Sequence, residues 1–182
     1  MRHIKIIKPI SLIILLFLIT NCSNNSAMKP EDFKNKEPRL IIEEYLTGNV
    51  KAWGVLQNRS GKVTRQFSAT LNGKWDGTQL ILDETFNWDD GEIQNRQWKI
   101  NKIDEHNYEG TAGDVVGKAK GFSYGPAFKF EYVLLVPVKG KNIKITFDDW
   151  IFKQDEKIAI NRATMSKFGF KVAELTVFFV KE

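Results

Sequence analysis

The chain has 182 residues, a formal net charge of +5 and 42% hydrophobic residues, which fits one globular domain with a core of its own. Its single cysteine excludes a disulfide within the chain, and two histidines supply a zinc site poorly. The cationic residues are spread singly and form no basic run, which argues against a nucleic-acid partner.

The N-terminal segment combines a basic start, a short apolar run and a cysteine. Three cationic residues open it: Arg2, Lys5 and Lys8. The apolar run covers residues 10–19, and Cys22 follows shortly after it. This order is typical of a bacterial lipoprotein signal peptide over residues 1–21, after whose removal Cys22 is the acylated first residue. We therefore expect acyl chains such as palmitate on Cys22, with a membrane as the partner.

Two alternatives to a lipoprotein signal are an uncleaved membrane anchor and an ordinary secretory signal. The apolar run is about ten residues long, and a membrane-spanning helix needs ~20, which disfavours the anchor. The residue directly after the cysteine is Ser23 and not an aspartate. In a Gram-negative host, resemblance to other lipoproteins then implies the outer membrane, with the protein facing the periplasm.

Two short segments separate the signal from the main domain. Residues 22–38 are polar and contain Pro30 and Pro38, which predicts a flexible tether. Residues 39–47 predict a short helix or turn that plugs one end of the structure that follows. We place the folded domain at residues 39–182.

From residue 50 onward, apolar and polar residues alternate with a period of two, and turn residues interrupt the alternation. The pattern predicts about ten strands, at residues 52–57, 63–71, 80–88, 93–103, 107–112, 115–122, 128–138, 143–153, 157–165 and 173–180. Residues 72–73 and 139–142 carry turn signals. Many sequential antiparallel strands with few helices indicate an all-β barrel or a β-sandwich.

The alternation also predicts which polar residues face the interior. Glu84, Arg96, Tyr132 and Arg162 lie on the apolar side of their predicted strands. Unpaired buried charges are costly, so these residues either pair with one another, are exposed by a bulge, or anchor a ligand in an aromatic-walled cavity. Six candidate ligand-binding residues follow from this argument: Glu84, Arg96, Trp98, Tyr132, Trp150 and Arg162.

Catalytic motifs are poorly supported. Residues 121–125 match the Gly-x-Ser-x-Gly pattern of hydrolases, but no histidine follows Ser123 and a strand follows where a helix is needed. Asp148 and Asp149 are adjacent in a strand and therefore point to opposite faces. We predict that the protein is not an enzyme and has no catalytic residues, metal site or cofactor.

Several segments, taken in order, resemble one family. They are residues 90–92 with 96–98, 108–114, 117–121, 147–150, 161–162 and 165–169. Together they resemble the bacterial lipoprotein family of domain of unknown function 3833, over residues 40–181. The resemblance implies a single lipocalin-like β-barrel in the cell envelope with no assigned activity. Lipocalin-like barrels often bind apolar molecules, so carriage of a ligand is implied by analogy.

Two functions therefore remain open. The first is a lipid-anchored envelope lipoprotein that binds or carries a small apolar or amphipathic ligand. The alternative is a structural or interaction protein of the envelope, with a filled barrel and no ligand. Neither the ligand nor a protein partner can be identified from the residues.

Overall fold

In the computed structural model, which describes residues 27–138 and 140–182, ten antiparallel strands form one closed sheet. Ahead of them lie a 3-10 turn, Pro30–Phe33, and a short helix α1, Ile42–Tyr45. The strands are β1 Gly48–Asn58, β2 Val63–Trp75, β3 Gln79–Trp88, β4 Ile93–Lys102, β5 Asn107–Thr111, β6 Ala119–Tyr124, β7 Ala127–Val138, β8 Lys141–Lys153, β9 Ile158–Lys167 and β10 Phe170–Lys181.

Each strand pairs with the next strand in the chain, and β1 pairs with β10 to close the ring. The closing pair extends from Val50 opposite Lys181 to Asn58 opposite Ala173. This arrangement confirms the predicted all-β barrel of about ten strands and rules out the sandwich. Closure gives every strand a neighbour on both sides, which protects a sheet of this size from edge-to-edge association.

Two predicted strand boundaries are wrong, for reasons visible in the packing. The turn predicted at residues 72–73 lies inside β2, which continues to Trp75. A Cβ atom at Gly73 would lie 1.9 Å from the carbonyl oxygen of Leu46, so this glycine allows a close approach and does not make a turn. The strand predicted at residues 115–122 begins only at Ala119, and Val115 forms an isolated bridge to Leu134.

One end of the barrel is plugged by α1 and the residues around it, as the sequence predicts. Leu40, Ile42, Tyr45 and Leu46 are buried in the core. The backbone amide of Leu40 donates to the carbonyl of Gly125 at 2.8 Å, and the Tyr45 hydroxyl donates to a carbonyl of the β8–β9 turn at 2.9 Å. Apolar contacts and hydrogen bonds to the strand ends therefore hold the plug in place.

Glu43 ties the plug to the wall through charge. Its carboxylate accepts hydrogen bonds from Lys102 Nζ at 2.5 Å and from the Tyr108 hydroxyl at 2.9 Å. Burial raises the pKa of Glu43, but these donors outweigh burial and leave that pKa below its usual value. The buried acid is therefore ionised and paired at neutral pH.

The segment before the plug contacts the outer wall of the barrel. The Phe33 ring lies 6.0 Å from the Trp150 ring and 5.5 Å from the Phe152 ring, between ring centroids. The part of the predicted tether that starts at the 3-10 turn is therefore docked, because its aromatic residue covers an aromatic patch on β8. Cys22 and the predicted signal peptide lie outside the described residues.

The described residues hold a complete folded unit. The ring closes through β1 and β10, and one contiguous apolar core extends from Leu40 in the plug to Val177 in β10. A closed barrel with its own apolar core has the features of a domain that can fold on its own. No helix in residues 27–138 and 140–182 is long and apolar enough to cross a membrane.

Candidate ligand-binding cavity

The barrel is open at the end opposite the plug, and a cavity leads inward from this mouth. The outer part, which also reaches exposed residues such as Asn95 and Lys99 on the outer face of β4, has a volume of about 910 Å³, and a narrow inner extension has about 100 Å³. Ligand pockets of proteins typically measure about 300–1,000 Å³. The two parts share five wall residues: Phe67, Phe86, Arg96, Tyr132 and Leu175. The barrel interior is therefore partly hollow.

Aromatic side chains form much of the cavity wall because inward positions recur at every second residue of each strand. The ring of Phe67 on β2 lies 5.2 Å from that of Phe86 on β3. The ring centroids of Trp98 on β4 and Tyr132 on β7 are 5.3 Å apart. Tyr132 stacks on Phe147 of β8, with 4.9 Å between the ring centroids. These contacts make a rigid apolar wall that suits an apolar molecule.

A first group of charged side chains lies on the inner wall, about halfway along the barrel. Arg96 on β4 lies opposite Glu84 on β3 and extends toward the loop between β5 and β6. Its Nε and Nη2 atoms donate to Oδ2 of Asp114 at 3.0 and 2.8 Å, while Nη1 lies 3.8 Å from Oε2 of Glu84. The side chains of Arg96 and Glu84 are only 14% and 12% exposed, so little water screens this pair.

A second polar group lies in the inner extension, on three neighbouring strands. The Tyr132 hydroxyl on β7 donates to Oδ2 of Asp149 on β8 at 2.9 Å. Asn161 on β9 donates through Nδ2 to Oδ1 of Asp149, and also to the carbonyl oxygen of Trp150 at 3.1 Å. The amide and the phenol therefore satisfy both oxygens of the buried Asp149 carboxyl.

The interior changes the pKa values of these carboxyls. Burial raises the pKa of Glu84 to about 7, although the charge of Arg96 opposes this rise. Burial raises the pKa of Asp149 to about 6, against the hydrogen bonds from Asn161 and Tyr132. Burial and the neighbouring Asp149 also raise the pKa of Tyr132 well above its usual value. Near neutral pH the phenol stays protonated, whereas Glu84 lies close to its titration midpoint.

The mouth carries its own charged cluster. Arg65 donates to Oδ1 of Asp90 at 2.7 Å and to Oε2 of Glu92 at 2.8 Å. The guanidinium also lies over the Trp88 ring, 4.0 Å from its centroid. Two carboxylates and an aromatic ring therefore hold Arg65 at the rim of the cavity.

Four of the six predicted ligand-binding residues line the cavity. Glu84, Arg96, Trp98 and Tyr132 face the interior, and the structure brings them together. Their role in binding a ligand stays a prediction.

The interior placement of Arg162 is wrong. Its side chain is 64% exposed on the outer wall and pairs with Glu174 at 3.1 Å. The inward positions of β9 are the small residues Ala159 and Ala163, whereas Ile158 and Ile160 lie on the outer face. The prediction therefore assigned the wrong side of β9 to the interior, because large apolar residues lie on the outer face of this strand.

Trp150 also lies on the outer face, opposite Arg162 in the pairing of β8 with β9. It is buried because the Phe33 and Phe152 rings and the Lys129 side chain cover it. This tryptophan therefore holds the N-terminal segment, and it does not line the cavity.

Three polar residues of the cavity were missed from the sequence. Asp149 alternates with Phe147 and Ile151 on β8, and this parity is a usable signal for its inward position. Asn161 lies two residues from each of the small inward alanines of β9, a weaker signal. Asp114 comes from the β5–β6 loop, and no alternation pattern predicts where a loop residue points.

The serine of the hydrolase-like pattern has a structural contact. The Ser123 hydroxyl is buried and donates to the carbonyl of Leu40 at 3.0 Å, which helps to hold the plug. His106 stacks on Tyr124 and binds the Ser123 carbonyl through Nδ1 at 2.9 Å. Across residues 27–138 and 140–182, no cluster of three or more His, Cys, Asp and Glu side chains could hold a metal ion.

The fold and the cavity define a lipocalin-like antiparallel barrel with one plugged end and one open end. The sequence profile of the family described as "Protein of unknown function (DUF3833)" matches residues 16–181. The chain therefore belongs to this family, which confirms the resemblance found in its motifs. A comparison with curated proteins finds no match.

Solved structures share the fold at low sequence identity. An S-type phycobiliprotein lyase, CPES from Guillardia theta, matches with a TM-score of 0.59 and 8% identity, over 77% of this chain and 90% of that one. A protein of unknown function from the DUF3598 family of Nostoc punctiforme matches with a TM-score of 0.60 and 14% identity, over 81% of this chain and 51% of that one. At such identities the comparison supports the fold alone.

Proposed function

We propose that this protein is a lipid-anchored carrier of the cell envelope that binds a small amphipathic molecule inside its barrel. The observation that carries the proposal is the open cavity of about 910 Å³ behind the mouth. A filled core would leave room for no ligand, since protein interiors are close-packed and rarely contain voids larger than a water molecule.

The lining of the cavity supports an amphipathic ligand. Phe67, Phe86 and Phe147 offer apolar contact, whereas Arg96 and Tyr132 place polar atoms at the junction with the inner extension. Ligand sites commonly combine an apolar wall with a few polar groups that fix the orientation of the ligand. A molecule with an apolar body near the mouth and a polar end further inside matches this distribution.

The envelope location rests on the sequence of the N-terminal segment. The order of basic residues, apolar run and Cys22 is that of a lipoprotein signal, and acyl chains on Cys22 would hold the protein at a membrane. We place it at the periplasmic face of the outer membrane. The first described residues contact the plugged half of the wall, so the mouth lies at the far end from the proposed anchor.

The alternative, an interaction protein without a ligand, is favoured by one observation. Arg96 already pairs with Asp114, and Asp149 already pairs with Tyr132 and Asn161, as in a closed polar core. These pairs account for part of the interior charge, but they leave the cavity at the mouth unfilled. The two proposals therefore differ in whether this cavity binds an apolar probe.

The test is the binding of the neutral dye Nile red to the barrel, residues 27–182, with and without a cavity-filling substitution. Leu175→Trp places a large ring into the cavity from β10, and Thr176→Trp places the same ring on the outer wall. We expect the Leu175 variant to lose dye binding at least tenfold while the Thr176 variant binds like the wild type. Equal binding by all three proteins, or no binding by the wild type, would contradict the carrier proposal.

A further inference from the structure

We propose that the inner end of the cavity accepts a head group that donates hydrogen bonds, a hydroxyl or an amine, and rejects a carboxylate or phosphate. The inference rests on the proposed function, since it assigns the chemical class of the ligand for the same cavity. It follows from the charges of the inner wall and from one unpaired oxygen atom.

The inner extension contains more acid than base. Among the described residues that line it, Glu84 and Asp149 carry carboxyl groups and Arg96 carries the cation. That cation is already engaged, because Nε and Nη2 of Arg96 both donate to Asp114. An incoming anion would therefore meet the carboxyls of Glu84 and Asp149, and the guanidinium near them is already neutralised by a third carboxyl, that of Asp114.

Glu84 supplies the acceptor for a donor group. Its Oε2 atom is buried, and no residue in the described parts of the chain donates a hydrogen bond to it. The nearest cationic nitrogen is Nη1 of Arg96 at 3.8 Å, beyond hydrogen-bond distance. Buried acceptors without a partner are uncommon in native proteins and call for an explanation such as a bound group. A hydroxyl or ammonium group reaching this depth would donate to Oε2.

At the mouth, two acids already contact the guanidinium on the cavity rim. Arg65 is the guanidinium at the rim, and its Nη2 atom already donates to both Asp90 and Glu92. A carboxylate ligand at the rim would compete with Asp90 and Glu92 for this guanidinium. The selection against an anionic head group is therefore set at the inner wall, where Glu84 and Asp149 outnumber Arg96.

The test compares three probes with the same tetradecyl chain: the alcohol, the amine and the carboxylic acid. Each displaces Nile red from the barrel, residues 27–182, at pH 8. We expect the alcohol and the amine to bind at least tenfold more tightly than the acid. Glu84→Gln should lower the ratio of amine affinity to acid affinity roughly tenfold, which is the effect of losing one charge-assisted hydrogen bond. Asp83→Asn, on the outward-facing neighbour, should leave the ratio unchanged.

The outcomes separate this inference from the proposed function. If the acid binds as tightly as the alcohol, or if Glu84→Gln leaves the ratio unchanged, the assignment of the head group is overturned while the carrier proposal stands. If none of the three probes displaces the dye and the dye itself does not bind, the carrier proposal fails and the assignment fails with it.

A second inference concerns the hairpin tip between β9 and β10, at the mouth end of the barrel. Phe168 is 88% exposed and has a φ of +52°, and Phe170 is 71% exposed. A bulky aromatic residue rarely adopts the left-handed conformation, where asparagine or glycine is favoured. Two solvent-exposed phenylalanines, one of them strained, point to a contact made outside the barrel.

The charges around this tip are complementary to an anionic surface. The residues of three adjacent hairpins carry six cations: Arg59, Lys62, Lys141, Lys144, Lys167 and Lys171. Over residues 59–63, 140–144 and 167–174, the acid in the described structure is Glu174, which pairs with Arg162 and Lys171. Val63 and Val138 add exposed apolar side chains on the two neighbouring hairpins.

We infer that this tip inserts into the surface of a membrane that contains anionic lipids. Aromatic side chains are favoured at the membrane–water interface, and each nearby lysine or arginine adds attraction to anionic head groups. The tip lies at the opposite end from the N-terminal segment, so this contact is independent of the predicted acyl chains on Cys22.

Vesicle co-sedimentation of residues 27–182, which lack Cys22, tests the inference with phosphatidylglycerol-containing and purely phosphatidylcholine vesicles. Phe168→Asn suits the left-handed backbone, so we expect it to unfold at the same or a higher temperature and to bind anionic vesicles roughly tenfold less tightly. Ile103→Asn removes an exposed apolar residue at the plugged end and should bind like the wild type. Vesicle binding by Phe168→Asn as tight as that of the wild type would overturn the inference. A wild-type barrel that binds proteins but not anionic vesicles would overturn it as well.

Discussion

At the scale of single residues, Arg96 is the cation of the inner cavity wall among the described residues. Its guanidinium is buried between Asp114 and Glu84, and the two carboxyls raise its pKa although burial opposes this. Removing one partner of a buried ion pair is more damaging than the pair is stabilising, because the remaining charge is left without compensation. Arg96 and the exposed Arg162 therefore form a matched pair of arginines in different surroundings.

We predict that Arg96→Ala lowers the free energy of unfolding by ~3–5 kcal/mol, since Asp114 and Glu84 lose their common cation. Arg162→Ala removes an exposed pair with Glu174 and should change it by less than ~1 kcal/mol. Urea unfolding of both variants at pH 7 measures the difference. Similar losses for the two arginines would contradict the buried arrangement.

The titration of Glu84 makes stability depend on pH. Its pKa rises from 4.5 to about 7 on folding, so the folded state binds this proton more tightly than the unfolded state. The resulting stabilisation is fully present below pH 4.5 and is lost as the pH rises through about 7, a change of up to ~3 kcal/mol. Asp149, with a pKa of about 6, acts in the same direction.

We therefore predict that the wild type loses stability between pH 5 and pH 8, and that Glu84→Gln reduces this loss by roughly two-thirds. The neutral amide resembles the protonated carboxyl in shape and cannot ionise. Urea unfolding at several pH values follows the change, with Asp83→Asn as a surface control. A wild-type stability that rises over this range would show that Glu84 is paired more strongly than its position indicates.

At the scale of secondary-structure elements, the plug depends on close approach between α1 and β2. Gly73 provides this approach, because any side chain there would collide with the Leu46 backbone. Leu46 follows α1 directly, and its side chain is buried in the core. The glycine therefore sets how deeply the plug enters the barrel.

We predict that Gly73→Ala displaces the plug and lowers the free energy of unfolding by ~2 kcal/mol or more, as overpacking does elsewhere. Gly113 is a matched control, because a Cβ atom there meets no atom within 4 Å. Gly113→Ala should leave the melting temperature within a few degrees of the wild type. Thermal unfolding followed by circular dichroism distinguishes the two, and equal melting temperatures would contradict the role given to Gly73.

The strands themselves were predictable, because alternation is the direct result of having a wet face and a dry face. The sequence also marked Glu84, Arg96, Trp98 and Tyr132 as inward, since each alternates with apolar neighbours on its own strand. The sides of β9 could not be assigned in this way, because its inward alanines are less apolar than its outward isoleucines. The burial of Trp150 depends on Phe33, a contact between residues far apart in the chain.

At the scale of the whole molecule, the barrel has a closed end near the N-terminal segment and an open end for a ligand. The family match and the fold leave the membrane anchor as a prediction of the sequence. We predict that Cys22→Ser abolishes labelling by an alkyne analogue of palmitate in the bacterial host. Lys29→Ser is the control, and retained labelling of the Cys22 variant would contradict a lipoprotein.

The central claim is that the barrel carries a small amphipathic molecule. The most direct measurement is native mass spectrometry of the full-length protein purified without detergent from its own host, followed by analysis of the extracted lipids. We expect a stoichiometric bound species with an apolar chain and a hydroxyl or amine head group, absent from the Leu175→Trp variant. A mass without bound ligand, with no uptake from a total-lipid extract, would contradict it and favour a protein partner.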